Sequence, residues 1–79
     1  MKTILEVLQG IRPEVDFTAS ENFIADGMLD SFDVVTLISE LDQCYGISIN
    51  GTDILPENVE SIAAITRLLQ KYGIVVQKQ

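Results

Sequence analysis

The stretch that most constrains this chain is residues 31–45, Ser-Phe-Asp-Val-Val-Thr-Leu-Ile-Ser-Glu-Leu-Asp-Gln-Cys-Tyr, followed at once by Gly46. At about 100° per residue, Val34, Leu37, Ile38, Leu41, Cys44 and Tyr45 fall within one broad sector of a helix, an arrangement that the alternation of a strand cannot reproduce. The sector requires cover from other apolar surface, so it predicts a helix from Ser31 to about Tyr45 that faces a core, with Gly46 as its left-handed terminator. Phe32, Val35 and Ser39 lie near the opposite side. Two apolar side chains therefore point away from the core, and a core-directed sector does not account for them.

The start of this helix is equally informative. Asp30 is suited to cap it, because its carboxylate can accept an unpaired N–H from Phe32 or Asp33, and Asp33 adds a second acid to the first turn. Ser31 then stands on the exposed rim of a helix N-terminus, just after the Gly-containing turn Asp26-Gly27-Met28-Leu29. A phosphate or phosphodiester held there gains roughly 0.3–1 kcal/mol from the helix dipole.

The flanking segments supply the cover. Within residues 2–12, Ile4, Leu5, Val7, Leu8 and Ile11 keep a helical period, with Thr3 as cap, Glu6 and Gln9 outward and Pro13 as the stop. Residues 13–30 lack periodicity and read as a long connection anchored by Val15, Phe17, Phe23, Ile24 and Leu29. After the central helix, Ile47-Ser48-Ile49 is extended and residues 50–52 turn. A short helical turn then begins at Asp53 and carries Pro56, Glu57 and Asn58, with Ile54, Leu55 and Val59 inward. Ser61 caps a last helix striped by Ile62, Ile65, Leu68, Leu69 and Tyr72; Lys71 suits its negative end and Gly73 closes it. The apolar tail, Ile74-Val75-Val76, either packs back on the helices or frays. The expected architecture is all-α: a small bundle of three main helices, a short helix before the last, and a long loop between the first and second. Residues 1–79 read as a single domain.

Size and composition exclude several functions. A chain of 79 residues has room for one modest core but not for an enclosed catalytic cleft on a separate scaffold. It contains no His, the usual general base of serine-dependent hydrolases and the commonest transition-metal ligand, so Ser31 is not expected to be a catalytic nucleophile. The lone Cys44 forms no internal disulfide and sits on the apolar face of the central helix, where it acts as a small hydrophobe. Neither residues 26–33 nor residues 50–57 have the ligand spacing of an EF-hand, and no metal site is expected. A formal net charge of −7 opposes nucleic-acid binding and favours basic partner surfaces. No long apolar run or signal-peptide core interrupts the pattern, so we expect a cytoplasmic monomer that does not insert into membranes.

Taken together, Leu29-Asp30-Ser31-Phe32 and the run Asp33-Val34-Val35-Thr36-Leu37-Ile38-Ser39-Glu40-Leu41 resemble the Asp-Ser-Leu motif and second helix of the acyl carrier proteins. The likeness covers most of the chain. It includes the long loop before the serine, Tyr45-Gly46-Ile47-Ser48-Ile49, and Ile54-Leu55-Pro56-Glu57-Asn58-Val59 followed by Ser61-Ile62. Phe32 departs from the usual Leu or Met. The resemblance implies a non-enzymatic carrier with a covalent 4′-phosphopantetheine arm on Ser31, whose thiol holds an acyl or aminoacyl group as a thioester. It also implies that Asp30 helps to position metal-bound coenzyme A on a phosphopantetheinyl transferase. Partners would be that transferase and acyl- or aminoacyl-loading and transfer enzymes, met by Phe32, Asp33, Val35, Ser39 and Glu40. The acids Asp33, Glu40 and Asp42 are expected to remain solvated and to steer basic partners. Fatty acyl, polyketide, aminoacyl and D-alanyl cargoes all fit this pattern. Two other readings use the same residues: an unmodified helical interaction module that docks through this face, and a switch in which a kinase phosphorylates Ser31.

Overall fold

Thr3 opens the first helix by a reciprocal cap. Its hydroxyl accepts the Glu6 N–H at 3.2 Å, while the Glu6 carboxylate accepts the Thr3 N–H at 3.1 Å, pairing two groups that a helix start otherwise leaves unsatisfied. The computed structural model describes residues 3–75, so Lys2, the first residue of the expected helical stretch, lies outside them, while the expected Thr3 cap is present. Helix α1 spans Ile4–Ile11 and buries Ile4, Val7 and Leu8. It ends where Arg12 donates its N–H to the Leu8 carbonyl, one residue before Pro13. Helix α2 spans Ser31–Tyr45 and buries Leu37, Ile38, Leu41 and Tyr45; Val34 and Cys44, from the same sector, are half-buried against them. Gly46 ends α2 at φ 66° and ψ 37°, the left-handed conformation that favours glycine.

Helix α3 is a single turn, Pro56–Val59, and α4 spans Ile62–Lys71 with Ser61 accepting the Ala64 N–H. Among the described residues all regular structure is helical, with α1 packed on α2 and α4 and α3 packed on α4. The architecture is the expected all-α bundle with a short helix before the last.

The long connection is stapled rather than loose. Asp16 caps a 3₁₀ turn, Phe17–Ala19, and the buried Phe17 ring meets buried Phe23 edge-on, with centroids 5.1 Å apart and planes at 83°. The Phe23 N–H bonds the Glu60 carbonyl at 2.6 Å, and Asn22 Nδ2 reaches the Glu60 carboxylate at 3.2 Å, which fastens the loop to the junction before α4. The Phe23 carbonyl then accepts N–H groups from Met28 and Leu29, folding the chain back toward the start of α2. Gly27, at φ 73°, permits that reversal.

The segment after α2 departs from expectation in three places. The short helix does not begin at Asp53. That residue ends a second 3₁₀ turn, Gly51–Asp53, and α3 starts at Pro56, whose ring is preset for the first helical position and lacks only an N–H the helix does not use. Leu55 does not face inward: it is 42% exposed. As the residue before proline it is held extended, at φ −122° and ψ 147°, while neighbouring Ile54 packs against the core. Lys71 does more than complement the end of α4, because its ammonium bonds Asp53 at 2.6 Å. The Tyr72 hydroxyl also donates to Asp53 and accepts the Asn50 N–H at 2.8 Å. The bonds from Lys71, and then Tyr72, hold the Asp53 carboxyl below its usual range. In the tail, Ile74 packs on the core and Val75 is exposed; Val76 and the residues after it lie outside the described residues.

Burial separates two phenylalanines that a sequence cannot separate by type. Phe23 is 1% exposed and Phe32 is 83% exposed. Phe23→Ala should therefore cost about 3–5 kcal/mol of stability, as large-to-small core changes do. Phe32→Ala should stay within about 0.5 kcal/mol of wild type. Urea denaturation of both variants checks the contrast, and an equally destabilised Phe32→Ala protein would contradict it.

Candidate functional site

The start of α2 is built by two aspartates that cap each other. Asp30 Oδ1 accepts the Asp33 N–H at 2.9 Å, and Asp33 Oδ2 accepts the Asp30 N–H at 3.2 Å. This is the same reciprocal geometry as at Thr3 and Glu6, made here with an aspartate in the returning position. The exchange fixes the first turn, in which Ser31 is exposed.

Asp33 has a second partner that was not anticipated. Arg12, just past α1, donates from Nε to Asp33 Oδ2 at 2.8 Å, across 21 residues of sequence. Its other nitrogens lie 3.7 Å from Asp30 Oδ2 and 3.7 Å from Glu14 Oε1. The Asp33 side chain is only 16% exposed, which corrects the expectation of a free, solvated acid. Burial pushes its carboxyl upward, but the Arg12 hydrogen bond, the Asp30 N–H and the guanidinium charge outweigh that and hold it below the usual carboxylate range. The hydrogen bond to Asp33 keeps Arg12 all the more firmly charged. Asp42 is also occupied, since it is half-buried and its Oδ1 accepts the Ile49 N–H at 3.0 Å. Asp30 caps the turn and lies near Arg12 as well, but its side chain is 59% exposed beside Ser31.

The five expected docking residues do not form one face. Phe32, Val35 and Ser39 are all exposed, and the long loop does not cover Phe32 or Val35, which are 83% and 64% exposed. Val35 borders an open apolar groove of about 400 Å³, whose walls are Ile24, Leu29, Val34, Ile54 and Pro56 and whose rim carries Asp30 and Ser31. Asp33 and half-buried Glu40 lie instead beside Thr36 on a polar groove shared with Val7, Gly10 and Ile11 of α1. The helix angle explains the division, since Asp33 and Glu40 are two turns apart on one stripe and Val35 and Ser39 are one turn apart on another. Ser31 thus faces an apolar wall on one flank and an ion-paired polar wall on the other.

Sequence reading missed Arg12 and the apolar groove. The signal for the reciprocal cap was present in the Asp30 to Asp33 spacing, which matches a capping box with aspartate replacing the usual Glu or Gln. Arg12 had no such local signal, because its partner comes from another helix. The groove likewise draws Ile24 from the long loop and Ile54 and Pro56 from the stretch after α2.

The arrangement fits a covalently attached phosphodiester. Ser31 is reachable from solvent and sits at the positive end of a long helix, with an apolar surface alongside for an uncharged chain. The described residues contain no group of three or more His, Cys, Asp or Glu side chains placed to hold a metal ion. Among the described residues, no helix is long and apolar enough to cross a membrane. The family model described as the phosphopantetheine attachment site matches residues 1–74. Comparisons with curated proteins and with solved structures give no match.

The Asp33 environment predicts an acid limb of stability. A carboxyl depressed in the folded state stabilises fully above its unfolded value, near pH 4, and loses that contribution as pH falls through the lower folded value. Asp33→Asn should be less stable than wild type at neutral pH, and the gap should close progressively below about pH 4. Urea midpoints measured for both proteins between neutral pH and strong acid test this. A gap that is constant across the range would show that Asp33 contributes by packing alone.

Proposed function

The chain belongs to the phosphopantetheine attachment site family, and from that premise we propose that Ser31 is the residue that receives the 4′-phosphopantetheine arm. Domains of this family carry the arm covalently on a serine and act as carriers, not enzymes. When bound, the arm supplies a terminal thiol that holds the cargo as a thioester. The observation that carries the assignment is the exposed position of Ser31 in the first turn of α2, next to the exposed carboxylate of Asp30.

The other serines fit less well. The Ser20 hydroxyl donates to Asp26 and accepts the Asn22 N–H, and Ser61 is engaged as the cap of α4. Ser39 lies in the middle of α2, where the backbone N–H groups are already used by the helix, and Ser48 lies beyond its other end. Ser31 combines exposure with a helix start.

In this reading Asp30 orients metal-bound coenzyme A on a phosphopantetheinyl transferase while its Oδ1 keeps the first turn capped. Phe32, Val35 and Ser39 supply a small contact stripe for the transferase and for loading and transfer enzymes. Glu40 and Asp33 stand on the other flank, where Glu40 contributes negative charge and Asp33 is engaged by Arg12. A few exposed apolar residues beside an acid favour brief, repeatable docking, which a carrier visiting several enzymes requires. The apolar groove next to Ser31 favours an acyl cargo over a charged aminoacyl one, because burying an unpaired ammonium against Ile24, Leu29 and Ile54 is unfavourable. We place this work in the cytoplasm, beside the coenzyme A that the transferase consumes, with residues 1–79 acting as one monomeric domain.

Intact-mass measurement after incubation with coenzyme A and a broad-specificity transferase tests the assignment. The wild-type chain should gain a single arm and Ser31→Ala should gain none while melting normally. Modification of the alanine variant would sink the assignment, and an unmodified wild-type chain would favour the interaction module. Phe32→Ala and Val35→Ala should each raise the transferase KM for the carrier by roughly fivefold, equivalent to about 1 kcal/mol of lost contact, with little change in Tm. An unchanged KM in both would remove them from the docking stripe.

A further inference from the structure

Arg12 occupies an unusual place for one of only five basic residues in a chain that carries twelve acidic ones. It stands at the end of α1, is part-buried, and directs its guanidinium to the first turn of α2 rather than to solvent. The contact with Asp33 is close, at 2.8 Å, and the approach to exposed Asp30 is longer, at 3.7 Å. One cation therefore holds the inner aspartate of the cap tightly and leaves the outer one available. Without it, two carboxylates belonging to one helical turn would face each other with no counter-charge, and Asp33 would have no partner fixing its direction beyond the Asp30 N–H. Of the Pro13-to-Leu29 connection, only Glu14 approaches this cluster, and it meets Arg12 rather than Asp33.

We infer that Arg12 is a positioning residue for arm attachment: by clamping Asp33 it sets the orientation of Asp30 and Ser31 that the transferase needs. The inference rests on Ser31 as the attachment serine. The contacts of Arg12 are with the acids Asp33, Asp30 and Glu14, and it is half-buried beside them, whereas Phe32, Val35 and Ser39 form an exposed stripe. Loss of Arg12 should consequently affect turnover more than docking.

The test is transferase kinetics on the full chain, followed by intact mass, for wild type, Arg12→Ala, Arg12→Lys, Asp33→Asn and the Arg12→Ala/Asp33→Asn double variant. All are assayed at a temperature where circular dichroism shows each to be folded. Arg12→Ala should lower kcat on the order of tenfold, since small displacements of a reacting group are amplified in rate, while KM for the carrier stays within about twofold. Arg12→Lys should recover part of kcat, because a single ammonium keeps the charge but cannot span both carboxylates as the guanidinium does. Arg12→Ala should have little further effect in the Asp33→Asn background, both on kcat and on the urea midpoint. Wild-type kcat in folded Arg12→Ala overturns the inference, as does a loss confined to KM or one fully additive with Asp33→Asn. A wild-type chain that gains no mass overturns the attachment reading, and this inference with it.

Discussion

The serine end of the molecule depends on how two aspartates share one helical turn. A helix start exposes N–H groups that must be paired, and here Asp30 and Asp33 each accept the other's N–H. Two carboxylates so close repel each other unless a counter-charge is present, and Arg12 supplies it from the end of α1. The pairing is asymmetric. Asp33 becomes a shielded structural acid with a lowered pKa, whereas Asp30 keeps an exposed carboxylate beside Ser31. One polar cluster thus both fixes the geometry of the turn and leaves a usable group at its surface.

Beneath that turn the protein relies on apolar packing and on a loop that is fastened at several points. The edge-on contact of Phe17 with Phe23, the bonds from Phe23 and Asn22 to Glu60, and the glycine reversal at Gly27 bring Ile24 and Leu29 under the start of α2. After α2, Lys71 and Tyr72 hold Asp53, which closes the 3₁₀ turn before Ile54 and Pro56. Those two attachments bring the walls of the apolar groove together from segments far apart in sequence. In a domain this small the described serine end is displayed at the surface, as a carrier requires.

The two flanks of Ser31 have different physical characters. On one, exposed Phe32 and Val35 lie outside the core, and Val35 adjoins an apolar groove that can take an uncharged chain. On the other, the acids and Arg12 form a polar wall against α1. A partner covering the first flank would gain contact area, while the second ties the first turn of α2 to the end of α1. On the proposed reading, this separation lets partner enzymes approach Ser31 over the apolar flank while the ion pairs of the other flank stay in place.

Much of this was legible from local pattern. Helical spacing identified α1, α2 and α4, the ends at Pro13 and Gly46, the inward sector of α2, and the outward direction of Phe32 and Val35, because each of these follows from the geometry of one continuous segment. The motif around Ser31 was likewise readable, since a cap, a serine and a helix start are neighbours in sequence. Where local reading failed, the deciding partner was distant or the backbone locally constrained. Leu55 turned outward because the following proline holds it extended, and Asp53 closed a 3₁₀ turn because Lys71 and Tyr72, from the end of α4, bind its carboxylate. Asp33 lost its freedom to Arg12, 21 residues away. The sequence by itself determined which helices form and which serine stands at a helix start. Only the tertiary structure decided which acids remain free and where a groove opens, because those depend on charges and walls that meet only once the chain has folded.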